Sequence, residues 1–176
     1  MPAPGLLTAS GLEAAAPALA GLLLDAVRGG ASVGFPAGLT PEAATAWWRG
    51  RAPAVAEGRL LVWSAGEPGR PTGTVSLALE QLPNGAHRAE VSKLLVHSGA
   101  RGRGLGRALL AVAERAAAAH DRTLLLLDTE TGSGAEHLYR SAGWTPLGTV
   151  PGYATDPGGT LRGSTFFFKH LTATDA

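Results

Sequence analysis

At 176 residues the chain has the length of one domain with room for an apolar core, and 45% of its residues are hydrophobic. Charged residues make up 16%, well below the roughly 25% usual for soluble domains, and the formal net charge is +1. A net charge this close to zero does not indicate binding to nucleic acid or to an anionic membrane. There is no cysteine, which excludes disulfides, thiol nucleophiles and thiolate metal sites.

Further exclusions come from histidine spacing and from the N-terminal residues. The histidines are scattered without the spacing of metal ligands, so we predict no metal site. The N-terminus lacks a basic stretch, and the apolar run Leu19–Leu24 is too short to cross a bilayer. We expect a cytoplasmic protein in which residues 1–176 form one domain, with no long linker and no internal repeat.

Two helices are predicted in the first third of the chain. The capping box Ser10-x-x-Glu13 opens the first helix, and Gly29-Gly30 ends it. Thr40-Pro41-Glu42 opens the second helix with an N-cap, a proline at the first position and an acid in the first turn. The apolar loop Gly30–Pro36 between them either packs on the core or forms one wall of a substrate site.

An antiparallel meander follows. Leu60–Trp63 and Thr74–Leu79 have strand character, and the Gly/Pro-rich stretch 66–73 between them predicts a hairpin turn. Pro83-Asn84-Gly85 marks a second turn, which leads into a strand over Glu90–His97.

The second half of the chain alternates between helices and strands. Leu124–Asp128 is nearly all apolar, as expected of a strand that is covered on both faces and pairs in parallel through a helical crossover. We therefore predict a mixed α/β fold around one central sheet. The remaining elements are a helix from near Gly104, a helix capped by Ser133, strands at Trp144–Val150 and Thr165–Phe168, and a long loop at Pro151–Gly163 between those strands.

A glycine- and arginine-rich loop joins the Glu90–His97 strand to the following helix, whose apolar face begins at Leu105. Glycines allow backbone N–H groups to approach an anion, and a helix N-terminus adds about half a positive charge, so the loop suits a pyrophosphate. A Walker A loop needs Gly-Lys-Ser/Thr where this chain has Arg107-Ala108, and a dinucleotide fingerprint needs glycine at Arg107. The alternative is a surface turn that only caps the helix. The loop comprises Arg101, Gly102, Arg103, Gly104, Leu105, Gly106 and Arg107.

Two segments resemble motifs of the GCN5-related N-acetyltransferases, the GNAT superfamily. Arg101, Gly104 and Gly106 match its acyl-CoA loop, Gln/Arg-x-x-Gly-x-Gly/Ala. Leu138–Trp144 is similar to a later motif in which a tyrosine precedes a helix end and a Gly-aromatic pair. The resemblance implies the GNAT fold: an antiparallel N-terminal meander, a central parallel pair splayed for acyl-CoA, and flanking helices.

The resemblance also implies acetyl-CoA as the acyl donor and no metal. Strand Glu90–His97 would splay from strand Leu124–Asp128 and admit the pantetheine arm between them. Backbone groups near Leu95 and Val96 would hydrogen-bond the arm, and the Gly/Arg loop would bind the diphosphate. The reaction would be direct attack of a primary amine on the acetyl group in a ternary complex.

Three side chains are candidates for the proton transfers. Tyr139 is the expected general acid, because a phenol with a pKa near 10 can protonate a thiolate whose thiol pKa is about 8.5; otherwise it only packs its helix on the sheet. Asp128 and Glu90 are expected to bind the amine and pass its proton onward through water. Alternatively, Asp128 caps the turn near Thr129, and Glu90 is a solvated strand end.

The acceptor is expected to be a small molecule. Segments 88–94, 100–107, 127–130 and 151–153 are similar to a toxin-resistance acetyltransferase of this family, which implies an amino-acid-like toxin or antibiotic amine. Two alternatives stay open: an acyl-CoA sensor without turnover, and acetylation of peptide or protein amines. Exposed edge strands would also allow a homodimer.

Overall fold

The structure is a computed structural model that describes residues 3–171. Its elements follow the predicted order, with an additional short helix, α3, between the second helix and the meander. They are β1 Gly5–Leu6, α1 Ala9–Arg28, α2 Pro41–Arg49, α3 Ala52–Ala56, β2 Leu60–Glu67, β3 Arg70–Leu79, β4 Arg88–Val96, α4 Leu105–Ala119, β5 Leu124–Glu130, α5 Gly134–Ser141, β6 Thr145–Thr155 and β7 Leu161–His170.

One mixed sheet organises the described residues. The strand order is β1-β2-β3-β4-β5-β7-β6. All neighbours are antiparallel except β4 and β5, which run parallel and are joined through α4. The predicted fold class is confirmed, including the meander β2-β3-β4 and the central parallel pair.

Helices cover both faces of the sheet. On one face, Leu109 of α4 packs with Leu125 of β5 and Phe167 of β7. On the other, α1 and α2 contribute buried residues such as Leu19 and Trp48. Helix α1 is long and apolar enough to span a membrane. Buried core helices of globular proteins meet the same criterion, and half of the most apolar 18-residue segment of α1 is buried in the fold.

Two local predictions are wrong. The side chain of Thr8, not Ser10, caps α1, because its Oγ1 accepts a hydrogen bond from Gly11 N at 3.0 Å. Pro151–Gly163 is not a long loop, since β6 runs to Thr155 and β7 begins at Leu161. A wide bulge after Val150 and a tight turn at Asp156 use the glycines and prolines of this stretch.

Candidate active site

A cleft opens where β4 and β5 diverge. The two strands pair only over Arg88–Glu90 and Leu124–Leu126, although both continue further. Beyond that point the facing strand edges surround a cavity of about 900 Å³, which the Gly/Arg loop and α5 also line. Backbone groups at an opened edge need other partners, so the gap suits an extended ligand that can hydrogen-bond like a strand.

The backbone of β4 carries a bulge at the cleft. Ser92 pairs with Ser76 and Leu95 with Thr74, so β4 has one residue more than β3 in this interval. Within the bulge Lys93 has a φ of 50°, a left-handed conformation that is uncommon for a residue other than glycine. The sequence pattern did not indicate this irregularity.

The bulge and the strand pairing fix which backbone groups reach the cleft. His97 N donates to Thr72 O at 2.9 Å. Because alternate residues of an antiparallel strand bond to the same neighbour, Leu95 also directs its backbone groups toward β3, whereas Val96 directs its groups away from β3. Of the two backbones expected to hold a pantetheine arm, only that of Val96 therefore faces the cleft.

The Gly/Arg loop presents free backbone donors. Gly102 and Gly104 have φ angles of 75° and 80°, and a Cβ at either position would meet no atom within 4 Å. Gly104 is the N-cap of α4 without a side-chain cap, and the first backbone bond of the helix runs from Ala108 N to Gly104 O. The N–H groups of Leu105 and Gly106 thus have no partner within the helix, which is the arrangement that binds a diphosphate.

The three loop arginines have different surroundings. Arg101 donates from Nε to Val96 O at 3.1 Å, and Arg107 donates to Ser141 Oγ at 2.7 Å. Within residues 3–171, Arg103 makes no ion pair or side-chain hydrogen bond, and it does not line the cleft. Two of the arginines therefore brace the loop, and Arg103 lies exposed at its outer edge.

Asp25, at the end of α1, supports this loop and was not identified from the sequence. Its carboxylate accepts hydrogen bonds from Ser98 N and Ser98 Oγ, both at 2.8 Å, and lies 3.9 Å from Arg101. Burial acts to raise the pKa of Asp25, but the hydrogen bonds from Ser98 and the charges of His97 and Arg101 together outweigh it and hold the pKa below its usual value. Asp25 is thus a positioning residue for the loop.

Glu90 and Asp128 project into the cleft from the same face of the sheet. Glu90 is in register with Leu126, and Asp128 follows two residues later, so the alternation of strands directs both side chains to one side. Partial burial and then the charge of Asp128 raise the pKa of Glu90, while Lys93 opposes them. Asp128 accepts a hydrogen bond from Ser164 Oγ at 2.6 Å, and within residues 3–171 its carboxylate accepts none from the backbone of the following turn.

Tyr139 reaches the cleft from the opposite face. Its side chain is 6% exposed, and its ring lies 6.0 Å from that of Trp144 and 5.9 Å from that of Phe167. Burial, and to a lesser extent Asp128, raises the pKa of Tyr139, so the phenol keeps its proton over the physiological range. Among the described residues no group hydrogen-bonds its hydroxyl.

Two segments meet beside the carboxylates. Ser32 Oγ donates to Thr155 O at 3.1 Å, and Ala37 N donates to Pro157 O at 3.1 Å. We call residues 31–37 together with the β6–β7 turn the roof. In the loop predicted at Gly30–Pro36, Phe35 packs edge-on against Trp47, and Val33 lines the cleft.

Metal-binding side chains do not cluster within residues 3–171. No group of three or more His, Asp or Glu residues in this range could hold an ion. The side chains that line the cleft include the carboxylates of Glu90 and Asp128 and the phenol of Tyr139.

Comparison with known proteins assigns the family. The sequence model of the Acetyltransferase (GNAT) family matches residues 25–144. A ribosomal-protein-alanine N-acetyltransferase from Brucella melitensis is 28% identical, with a TM-score of 0.73 over 90% of this chain and 96% of its own. A GCN5-related N-acetyltransferase from Kribbella flavida is 25% identical, with a TM-score of 0.75 over 96% and 98% of the two chains.

A third structure carries the acyl donor. The protein yncA from Salmonella typhimurium, solved with its cofactor acetyl-CoA, has a TM-score of 0.75 and 22% identity over 98% of this chain and 96% of its own. This chain belongs to the GNAT acetyltransferase family, and it is an acyltransferase that depends on acetyl-CoA. Three features fit that donor: the free N–H groups after Gly104, the open space at both loop glycines, and the edge of β4 at Val96, which does not pair with β5.

Proposed function

We propose that this protein transfers the acetyl group of acetyl-CoA to a primary amine of a small, amino-acid-like molecule, such as a toxin or antibiotic, by direct attack in a ternary complex. The similarity of segments 88–94, 100–107, 127–130 and 151–153 to the tabtoxin resistance acetyltransferase supports this substrate class.

The roof beside the two carboxylates is the observation that carries the proposal. Glu90 and Asp128 open into a cleft whose walls are joined by the hydrogen bonds from Ser32 to Thr155 and from Ala37 to Pro157. An extended peptide would have to pass between these walls, whereas a small molecule fits beneath them. The two carboxylates attract a cationic amine, and the partial desolvation of Glu90 strengthens that attraction.

The side chains at the cleft can carry the proton transfers. Bound acetyl-CoA would supply an acetyl thioester, so that an N–C bond forms as the C–S bond breaks. Glu90, whose pKa is raised, accepts the proton of the incoming ammonium through water, and Asp128 stabilises the cation. Tyr139 keeps its phenolic proton until the sulfur departs, because its pKa is also raised, and then donates that proton to the sulfur. The acylated nitrogen loses its second proton as the amide forms, and this proton returns to the phenolate of Tyr139 through water.

Acetylation of a peptide N-terminus is the second candidate. It is favoured by the 28% identity to the ribosomal-protein-alanine N-acetyltransferase of Brucella melitensis. Family membership disfavours the third candidate, an acyl-CoA sensor without turnover.

A panel experiment separates these candidates. The purified protein is incubated with acetyl-CoA and with amino acids, β-lactam amines, polyamines, aminoglycosides and short peptides that begin with alanine, and acetylated products are identified by mass spectrometry. We expect turnover of a small amine at a kcat/KM at least about 100-fold above that of any peptide, a difference of about 2.7 kcal/mol in transition-state binding. Preferred turnover of the peptides, or of no amine, would overturn the proposal.

A further inference from the structure

Lys93 places a cation in the cleft without an anionic partner. Its side chain is half-buried and lines the same cavity as Glu90 and Asp128. Within residues 3–171 no carboxylate oxygen lies within 4.0 Å of its Nζ. The ring of Trp47, 5.3 Å from Nζ, stabilises the ammonium only in part, because a partly desolvated cation is still costly without a directly bonded counter-ion.

A second cation lies beside the first. Arg51 sits over the ring of Trp47, with Cζ 4.3 Å from the ring centroid, and Lys93 Nζ lies 5.3 Å from the same centroid. The two like charges repel each other across one aromatic side chain. Burial lowers the pKa of Lys93 and Arg51 lowers it further, while Asp128 and Glu90 act in the opposite direction. An anion bound at Lys93 would relieve this repulsion.

The β4 bulge aims the lysine toward the roof. With φ at 50°, Lys93 departs from the regular alternation, and its Nζ comes within 3.9 Å of the position that a Cβ on Gly34 would occupy. Glu90 and Lys93 are three residues apart on one strand, so their Cα atoms are separated by no more than about 11 Å. One small molecule can therefore contact both side chains at once.

We propose that Lys93 binds a carboxylate of the acceptor, so that the substrate is a zwitterion held by its amine at Glu90 and Asp128 and by its carboxylate at Lys93. This inference rests on the proposed function, and it adds to that function a carboxylate subsite at Lys93 that requires a free acid on the acceptor. The same inference gives Lys93, the residue of β4 with a positive φ, a role in substrate specificity.

Matched acceptors test the assignment. For the carboxylate-bearing acceptor with the highest kcat/KM in the panel above, initial rates are compared with those of its carboxamide, in the wild type and in Lys93→Met. In the wild type we expect the free acid to be preferred about 10- to 100-fold, as for a hydrogen bond to a charged group. Lys93→Met should abolish the preference by raising KM for the acid, while the KM of acetyl-CoA stays within about twofold of wild type.

Two further variants separate charge from structure. Lys93→Arg keeps the cation and should retain part of the preference. Arg49→Met removes an exposed cation from the end of α2, outside the cleft, and should change neither KM. A merely structural lysine would affect acid and carboxamide equally.

The outcomes distinguish this inference from the function on which it rests. Equal use of acid and carboxamide by the wild type, or a preference for polyamines or aminoglycosides, overturns the role of Lys93 while small-amine acetylation stands. A raised KM for acetyl-CoA in Lys93→Met would assign the lysine to the donor and also overturns it. Turnover of no small amine overturns both proposals together.

Discussion

At the scale of single residues, Glu90 shows how the surroundings determine the chemistry of a carboxylate. Partial burial raises the pKa of Glu90 most, the charge of Asp128 raises it further, and the charge of Lys93 lowers it. Burial and the two neighbouring charges therefore together set the pH at which the proposed base becomes active.

The pH profile of kcat/KM tests this account of Glu90. We expect an acidic limb above the ordinary pKa of glutamate, about 4.3, because the base must be ionised. Removing the negative charge in Asp128→Asn should lower the rate and move the limb to lower pH. Removing the positive charge in Lys93→Met should move it to higher pH. Glu90→Gln should lose the limb and about 100-fold or more of the rate; rates within a few-fold of wild type across pH would rule out Glu90 as the base.

Gly104 permits a second test at the residue scale. Gly104→Ala must hold a Cβ at a φ of 80° beside the free N–H groups of α4, which costs about 1–3 kcal/mol in that conformation. We expect the KM of acetyl-CoA to rise about 10-fold or more.

Gly58→Ala is the control for Gly104→Ala. Gly58 has a φ of 69° and equally open surroundings, but it lies away from the cleft. The control should share the loss of stability without the change in KM. A normal KM for Gly104→Ala would show that the loop does not bind the donor.

Lys93 permits a stability test that needs no substrate. Its pKa is lowered in the folded protein, so the unfolded chain binds the proton more tightly and the charge costs stability at neutral pH. The free energy of unfolding of Lys93→Met should exceed that of the wild type by about 1 kcal/mol at pH 7. The difference should shrink as the pH approaches the usual lysine value near 10.4. Urea unfolding at several pH values measures this difference in the free energy of unfolding. If Lys93→Met were less stable than the wild type at pH 7, the charge of Lys93 would not be destabilising.

At the scale of elements, the distance between α4 and β3 depends on one glycine. A Cβ on Gly73 would stand 2.8 Å from Leu109 Cδ1, 3.0 Å from Leu105 Cδ2 and 3.2 Å from Leu95 O. This contact fixes α4, and with it the Gly/Arg loop, relative to the opened edge of β4.

Gly73→Ala should therefore destabilise the fold by about 1–3 kcal/mol through overpacking. Gly21→Ala is the matched comparison, because Gly21 lies within α1 with no atom within 4 Å of an added Cβ. That change should stabilise the protein by about 0.5–1 kcal/mol through helix propensity. Urea unfolding of both variants measures these changes. Equal stabilities of the two variants would show that the close approach of α4 to Gly73 does not affect the stability of the fold.

At the scale of the whole molecule, periodicity and turn residues were sufficient for the fold class. The helices and the central strands each have a local pattern, and the connection through α4 follows from handedness. The Pro151–Gly163 stretch was mispredicted because a bulged hairpin and a flexible loop use the same glycines and prolines.

The candidate site was only partly predictable, because several of its contacts join distant residues. Asp25 and its partner Ser98 are 73 residues apart, and nothing local to α1 marks that pairing. Lys93 was missed because a bulge depends on how β4 pairs with β3. The polar residues Ser92 and Lys93, which interrupt an otherwise apolar strand, are the signal that could have indicated it.

The most direct test of the account is a single-turnover measurement with the best small amine. Wild type and Tyr139→Phe, each in excess over acetyl-CoA, are mixed rapidly with the amine, and acetylated product is followed by mass spectrometry. Loss of the general acid should slow transfer about 100- to 10,000-fold, while acetyl-CoA binding measured by calorimetry stays unchanged. Equal transfer rates in the two proteins would contradict proton donation by Tyr139 and, with it, the proposed chemistry of the cleft.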